Sequence, residues 1–135
     1  MVRVLIIGIF FALFPALCYA DNLAERVKEY YTNINSGKSM EENDWISKKA
    51  RGTRMWQVLG GLSARVKGIT AEAQQHSGLK SVQVLKTSKK GKQFSMSVEI
   101  TYNDNSKHEE SEYWIKEDGK WKLTLPPDYK DTFAP

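Results

Sequence analysis

The sequence predicts an α+β domain, with N-terminal helices packed on an antiparallel sheet of about four strands. Three observations carry this. Leu23, Val27, Tyr30 and Ile34 recur at spacings of four, three and four, which is one stripe of a helix. Phe94, Met96, Val98, Ile100 and Tyr102 recur at every second residue, which is one face of a strand. Turn-forming pairs rich in Asn, Asp and Gly separate the alternating runs.

The elements follow in order. Asp21 or Asn22 caps the first helix, Ala24 and Tyr31 flank its stripe, and Asn35-Ser36-Gly37 ends it. Ser39-Met40-Glu41-Glu42 has the spacing of a capping box, so a second helix carries Trp45 and Ile46. Met55, Leu59, Leu62 and Val66 make another helical stripe. Gly60-Gly61 interrupts it, at about 1 kcal/mol per glycine relative to alanine. Thr70 caps a short turn reaching Gln75.

Val82 and Val84 open the first strand, which runs to about Ser88 before a turn at Lys89-Lys90-Gly91. The second strand carries the alternation ending at Tyr102, and Asn103-Asp104-Asn105 turns the chain. The third, over residues 107–116, places Tyr113 and Ile115 on one face. His108, Glu110, Glu112 and Trp114 fall on the other. Asp118-Gly119 is a hairpin turn, and Trp121, Leu123 and Leu125 alternate in the last strand. Pro126-Pro127 stops it, leaving residues 126–135 as a tail.

The N-terminus has a different character. Arg3 precedes an apolar run at residues 4–14, and Pro15 breaks it. Cys18 and Ala20 then place small residues three and one positions before a cut preceding Asp21. That order is a cleavable secretory signal over residues 1–20, too short and too interrupted for a membrane anchor. A lipid anchor at Cys18 is the alternative. Leu17 stands where lipoprotein processing favours a small residue, so membrane attachment is expected only if Cys18 is lipidated.

Residues 21–125 then form one domain. It has no cysteine and no Asn-x-Ser/Thr glycosylation site, which fits a bacterial periplasmic protein better than a eukaryotic secreted one. Of the 20 Lys and Arg residues, 19 remain after Arg3 is removed, against 16 Asp and Glu, a net charge of +3. Both signs are interspersed, so nucleic acid is not an expected partner.

A family resemblance rests on specific stretches. Gly78-Leu79-Lys80-Ser81-Val82-Gln83-Val84 leads into a lysine-rich turn with Gly91. A long alternating strand ends in Tyr102-Asn103-Asp104-Asn105. Residues 115–123 read Ile-Lys-Glu-Asp-Gly-Lys-Trp-Lys-Leu, and Tyr30-Tyr31 leads to Gly37 in the helical half. Over residues 21–125 this resembles small bacterial exported proteins and lipoproteins of the nuclear-transport-factor-2-like superfamily. The resemblance implies a cone-shaped domain of the cystatin or ketosteroid-isomerase kind, in which a curved sheet wraps the helices and leaves a cavity at the wide end. It implies no single activity, because relatives include enzymes, adaptors and immunity proteins.

No catalytic constellation, metal-ligand spacing or cofactor fingerprint is present in the sequence, so no catalytic residue, metal or cofactor is assigned. The candidate binding residues are Trp114, expected on an exposed sheet face, with His108, Glu110 and Glu112 beside it. Arg51 and Arg54, in a basic cluster with Lys48 and Lys49, are candidates for an acidic partner. The expected function is a non-enzymatic binding or accessory protein of the bacterial envelope, taking a protein or a small apolar ligand. Alternatives are a cavity enzyme of isomerase or dehydratase type using Glu99, His108 or a buried tyrosine, and a toxin-neutralising immunity or inhibitor protein. Oligomeric state stays open, a dimer included.

Amino-terminal sequencing of protein recovered from the envelope of an expressing bacterium is expected to start at Asp21. A start at Cys18 bearing a lipid mass would establish the anchored alternative.

Overall fold

The computed structural model describes residues 15–132, with side chains described from Asn22 onward. Arg3 and the apolar run at 4–14 lie outside the described residues, as do Phe133 and the side chains of Cys18, Ala20 and Asp21. Helix α1 spans Pro15–Ser36. It therefore runs through the start expected at Asp21 or Asn22, with Pro15 as its first residue; the break expected at Pro15 concerns the run at 4–14, outside the described residues. Proline is tolerated in a first helical turn because its missing N–H has no acceptor there. The expected stripe is buried: Leu23, Val27, Tyr30, Tyr31 and Ile34 all lie in the core. The helix ends where the sequence places its end. Gly37 takes φ +73, its N–H bonds Ile34 O at 3.2 Å, and Lys38 N–H bonds Asn33 O at 2.9 Å. That is the paired closure a left-handed glycine permits.

Four further helices follow: α2 Glu42–Trp45, α3 Lys48–Arg51, α4 Arg54–Val58 and α5 Gly61–Gln75. The Ser47 and Thr53 hydroxyls cap α3 and α4 by accepting from Ala50 N and Trp56 N. The capping box expected at Ser39 does not form, because its glutamate is used elsewhere. Glu42 accepts from Trp56 Nε1 at 3.2 Å and from Leu62 N at 3.1 Å, so it fastens α4 and caps α5. The stripe expected as one helix from Met55 to Val66, weakened at Gly60-Gly61, is split in two. Gly60 and Gly61 both take positive φ, +98 and +67, and turn the chain between α4 and α5. Thr70, expected to cap a turn, lies inside α5.

The sheet has strands β1 Leu79–Lys90, β2 Gln93–Tyr102, β3 Lys107–Glu117 and β4 Lys120–Thr124, antiparallel in the order β1-β2-β3-β4. The turns expected at Asn103–Asn105 and Asp118-Gly119 are present, with Asn105, Asp118 and Gly119 all at positive φ. Met96, Val98, Ile100 and Tyr102 are buried as the alternation predicts. The faces of β3 are the reverse of those expected. Register pairs Phe94 with Trp114 and Met96 with Glu112, so the Trp114 face turns toward the helices. Tyr113 and Ile115 lie opposite Ser95 and Gln93 on the other face. Trp114 is fully buried, its ring 5.7 Å from that of Tyr30 and edge-on to it.

Two contacts close the structure at its ends. Arg26 on α1 lies 3.4 Å over the Trp45 ring and donates to Trp121 O and Asp44 O, joining α1, α2 and β4. In the tail, Asp131 accepts from Arg54 N at 2.6 Å and Met55 N at 3.2 Å, capping α4.

Gly61→Ala tests the split between α4 and α5. An added Cβ would lie 2.8 Å from Glu42 Oε2 on a backbone that L-residues rarely adopt. Chemical denaturation should show a loss of about 1–3 kcal/mol, whereas Gly68→Ala, with open space in mid-helix, should be neutral or stabilising.

Candidate functional site

Burial of Trp114 carries its neighbours inward by the two-residue period of β3. Glu112, 3 % exposed, and Glu110 project from the same face toward α1 and α5. Both oxygens of Glu112 are bonded there. Its Oε1 accepts from Trp114 Nε1 at 3.0 Å, and its Oε2 accepts from the Tyr31 hydroxyl and from Arg65 Nη2 at 3.4 Å. Arg65, from α5, also donates through Nε to the Tyr30 hydroxyl at 2.7 Å and lies 3.6 Å from Glu110 Oε2. Tyr31 reaches Glu110 at 3.2 Å. One cation thus joins two phenols and two carboxylates across the space between α5 and β3.

The electrostatics follow from burial. Burial pushes the Glu112 carboxyl above its ordinary value, although bonds from Tyr31, Arg65 and Trp114 pull the other way. Tyr30 is pushed up to about 12 by burial, and Tyr31 is raised by burial and by Glu112 and Glu110. Burial opposes the charge on Arg65, but Tyr30, Tyr31, Glu112 and Glu110 outweigh it and hold its pKa above the usual value.

Arg65 also stands between two recesses. The larger is an open cavity of about 540 Å³. One wall is Met55, Trp56, Leu59 and Ala64; the other includes Leu123 and Leu125, with Arg65 and Glu112 as its charged lining. Leu59 and the neighbouring Val58 are exposed, at 60 % and 57 %. The smaller recess, about 330 Å³, is lined by Glu72, Tyr102, His108 and Glu110 on the far side of Arg65.

These positions sort the candidates. Glu112 lines the large cavity. His108 and Glu110, bonded to each other at 3.2 Å, line the small one. Trp114 is no exposed anchor; the reversal of β3 places it in the core beneath Glu112. Arg51 is occupied internally, donating to Ile46 O and Asn43 Oδ1, and Arg54 is exposed. Neither arginine lines the cavity. Glu99 faces out beside Lys107. Among the described residues, no group of three His, Cys, Asp or Glu side chains is placed to hold a metal ion, and no helix is long and apolar enough to cross a membrane. Arg65, which the sequence places with Lys67 further along from the basic cluster of Arg51 and Arg54, turns inward to Tyr30 and Glu112 instead. It sits beside Val66 on an otherwise ordinary helix, and nothing in local pattern marks it as inward.

No family model and no curated protein matches the sequence. Solved structures do match. A protein from Campylobacter jejuni, named in its crystal structure an NTF2-like transpeptidase, superposes with a TM-score of 0.57. The match covers 74 % of this chain and 94 % of that one, at 17 % identity. The chain has the NTF2-like fold. A de novo designed NTF2-fold protein is also similar, with a TM-score of 0.49 and 14 % identity over 81 % of this chain and 88 % of that one. At these identities the likeness concerns the fold. An NTF2-like domain holds its helices against one face of a curved sheet, and here that face carries the Arg65 cluster and both recesses.

Arg65→Met removes the countercharge of a buried carboxylate and should cost about 3–5 kcal/mol in denaturant titrations. The pH dependence has a definite sign. Because Glu112 is raised in the fold, the native state keeps a proton that the unfolded chain releases. Stability should therefore fall as pH rises from the ordinary carboxyl range, about 4.3, through the raised value. Glu112→Gln, with Tyr31, Arg65 and Glu110 still facing it, should flatten that slope.

Proposed function

We propose that the protein is an exported, non-enzymatic binding protein of the bacterial envelope, which holds a small apolar ligand or an apolar segment of a protein partner in its larger cavity. The observation that carries this reading is the cavity itself: about 540 Å³, open to solvent and walled mainly by apolar side chains. Apolar surface left uncovered at Leu59 in its wall, with exposed Val58 next to it in sequence, favours an occupant that covers it. The signal-like residues 1–20 and the cysteine-free remainder support export.

The raised Glu112 carboxyl favours the alternative of a cavity enzyme of isomerase or dehydratase type. Its bonding weighs the other way. A general base needs an accessible lone pair aimed at the proton it removes. Glu112 is 3 % exposed, and its oxygens already accept from Trp114, Tyr31 and Arg65. His108 lies on the far side of Arg65 and bonds Glu110.

Anilinonaphthalene sulfonate is a suitable first probe. One molecule per chain is expected to bind, quenching Trp56 in the cavity wall. Ala64→Phe, which fills the space between α5 and Leu123, should weaken binding at least about tenfold, or 1.4 kcal/mol, with unchanged circular dichroism. Binding that ignores Ala64→Phe would place the probe elsewhere and defeat the reading.

A further inference from the structure

The sheet has an edge that its own chain abandons. Strand β3 is 11 residues long and β4 only 5. β4 covers residues 113–117 of β3, so β3 from Lys107 to Glu112 has β2 on one side and no strand on the other among the described residues. The hydrogen-bond phase of this open half is fixed from both ends. Tyr102 N–H donates to Ser106 O at 3.0 Å, so alternation along the β2–β3 ladder turns the amides of Lys107, Glu109 and Ser111 away from β2. At the other end, Ser47 N–H donates to Leu123 O at 2.9 Å, so Leu123 O faces away from β3. Thr124 is then the residue that exchanges bonds with Tyr113, in the same phase.

The reason β4 stops is chemical. One further step would bring Leu125 opposite Glu112, and a second would bring Pro126 opposite Ser111. Pro126 has no N–H to give at the position where Ser111 presents its carbonyl. The chain leaves instead, held by Lys49 Nζ on the Pro126 and Pro127 carbonyls at 3.3 and 3.4 Å, and farther on by Asp131 on α4. The vacated track runs beside the large cavity, where Ser111 and Glu112 are lining residues.

The other edge of the sheet is treated differently. β1 is broken in register between Leu79 and Ser81 and again between Val84 and Lys86, and it carries Lys80, Lys86, Lys89 and Lys90. Bulges and lysines are what protect an edge from foreign strands. The β2–β3 register runs without a shift.

We propose that the open half of β3 is a docking edge for an extended peptide segment that adds a strand beside Lys107–Glu112. The segment is apolar on the face turned to the cavity and basic at the position beside Glu109. Backbone bonds to Glu109 and Ser111 supply affinity, and the cavity supplies side-chain choice. The exposed carboxylate of Glu109 sets the charge preference on the outer face. The proposal rests on the cavity being a binding site, and names its occupant.

The test uses the whole protein and an acetylated, amidated hexapeptide, Val-Lys-Val-Thr-Val-Thr, with amide hydrogen exchange followed by NMR. Exchange at Glu109 and Ser111 should slow at least about tenfold on adding peptide, while Glu110 and Glu112, bonded to β2 throughout, stay unchanged. Peptide binding without slowing at Glu109 and Ser111 overturns the proposal. So does slowing in the absence of peptide that grows with protein concentration, which would assign the edge to a second copy. Ser111→Pro removes one edge donor and should weaken the peptide at least about tenfold, while anilinonaphthalene sulfonate binding persists and Ser111→Ala behaves as wild type. Should Ser111→Pro not fold, a peptide with Glu in place of Lys must bind more weakly to the wild type; equal binding overturns the charge preference. Loss of the dye site with retained peptide protection would defeat the small-ligand reading and leave the edge standing.

Discussion

Everything around the cavity depends on how Glu112 is buried. A carboxylate in the core is costly unless it is bonded and paired, and the chain meets that condition from three elements. Tyr31 comes from α1, Arg65 from α5 and Trp114 from β3 itself. Because guanidinium and carboxylate must meet at 3.4 Å, the ion pair acts as a strut between α5 and the sheet. An apolar pair at the same positions would be free to close that gap by packing. The polar strut keeps it, and space remains on either side of it. The cavity is thus a by-product of satisfying one charge.

Much of the fold was legible because it rests on local rules. The stripe on α1, the alternation of β2 and the turns at Asn105 and Asp118-Gly119 depend on residues close in sequence. The split of α4 from α5 was signalled by Gly60-Gly61, though as a cost rather than a turn. What failed was the choice of face on β3. Along that strand both faces carry aromatic or aliphatic residues: Tyr113 and Ile115 on one, Trp114 on the other. Alternation alone has no means of ranking them. The register with β2 decides, since Trp114 must lie beside Phe94 and Glu112 beside Met96. A glutamate pair flanking a tryptophan reads as a solvated face until an arginine 47 residues earlier is known to meet it.

The candidate site was legible in part for the same reason. Glu110, Glu112 and His108 were drawn from the correct strand, but their division between two recesses is set by Arg65, which has no local signature. Arg51 and Arg54 looked like a surface for anions because cations close in sequence suggest a patch. In the fold, Arg51 spends its donors on Asn43 of α2 and on the Ile46 carbonyl just after it, and the backbone of Arg54 is taken by Asp131. Charge that looks available in sequence is here used to hold short helices in place.

One carboxylate has a reach out of proportion to its position. Glu42 grips Trp56 and the start of α5 from the first residue of α2. The wall segment α4 is bounded by Gly52 on one side and by Gly60-Gly61 on the other, with Glu42 holding Trp56 and Asp131 holding its first turn. The position of one cavity wall is thus set by two carboxylates far apart in sequence, Glu42 ahead of it and Asp131 in the tail beyond the sheet.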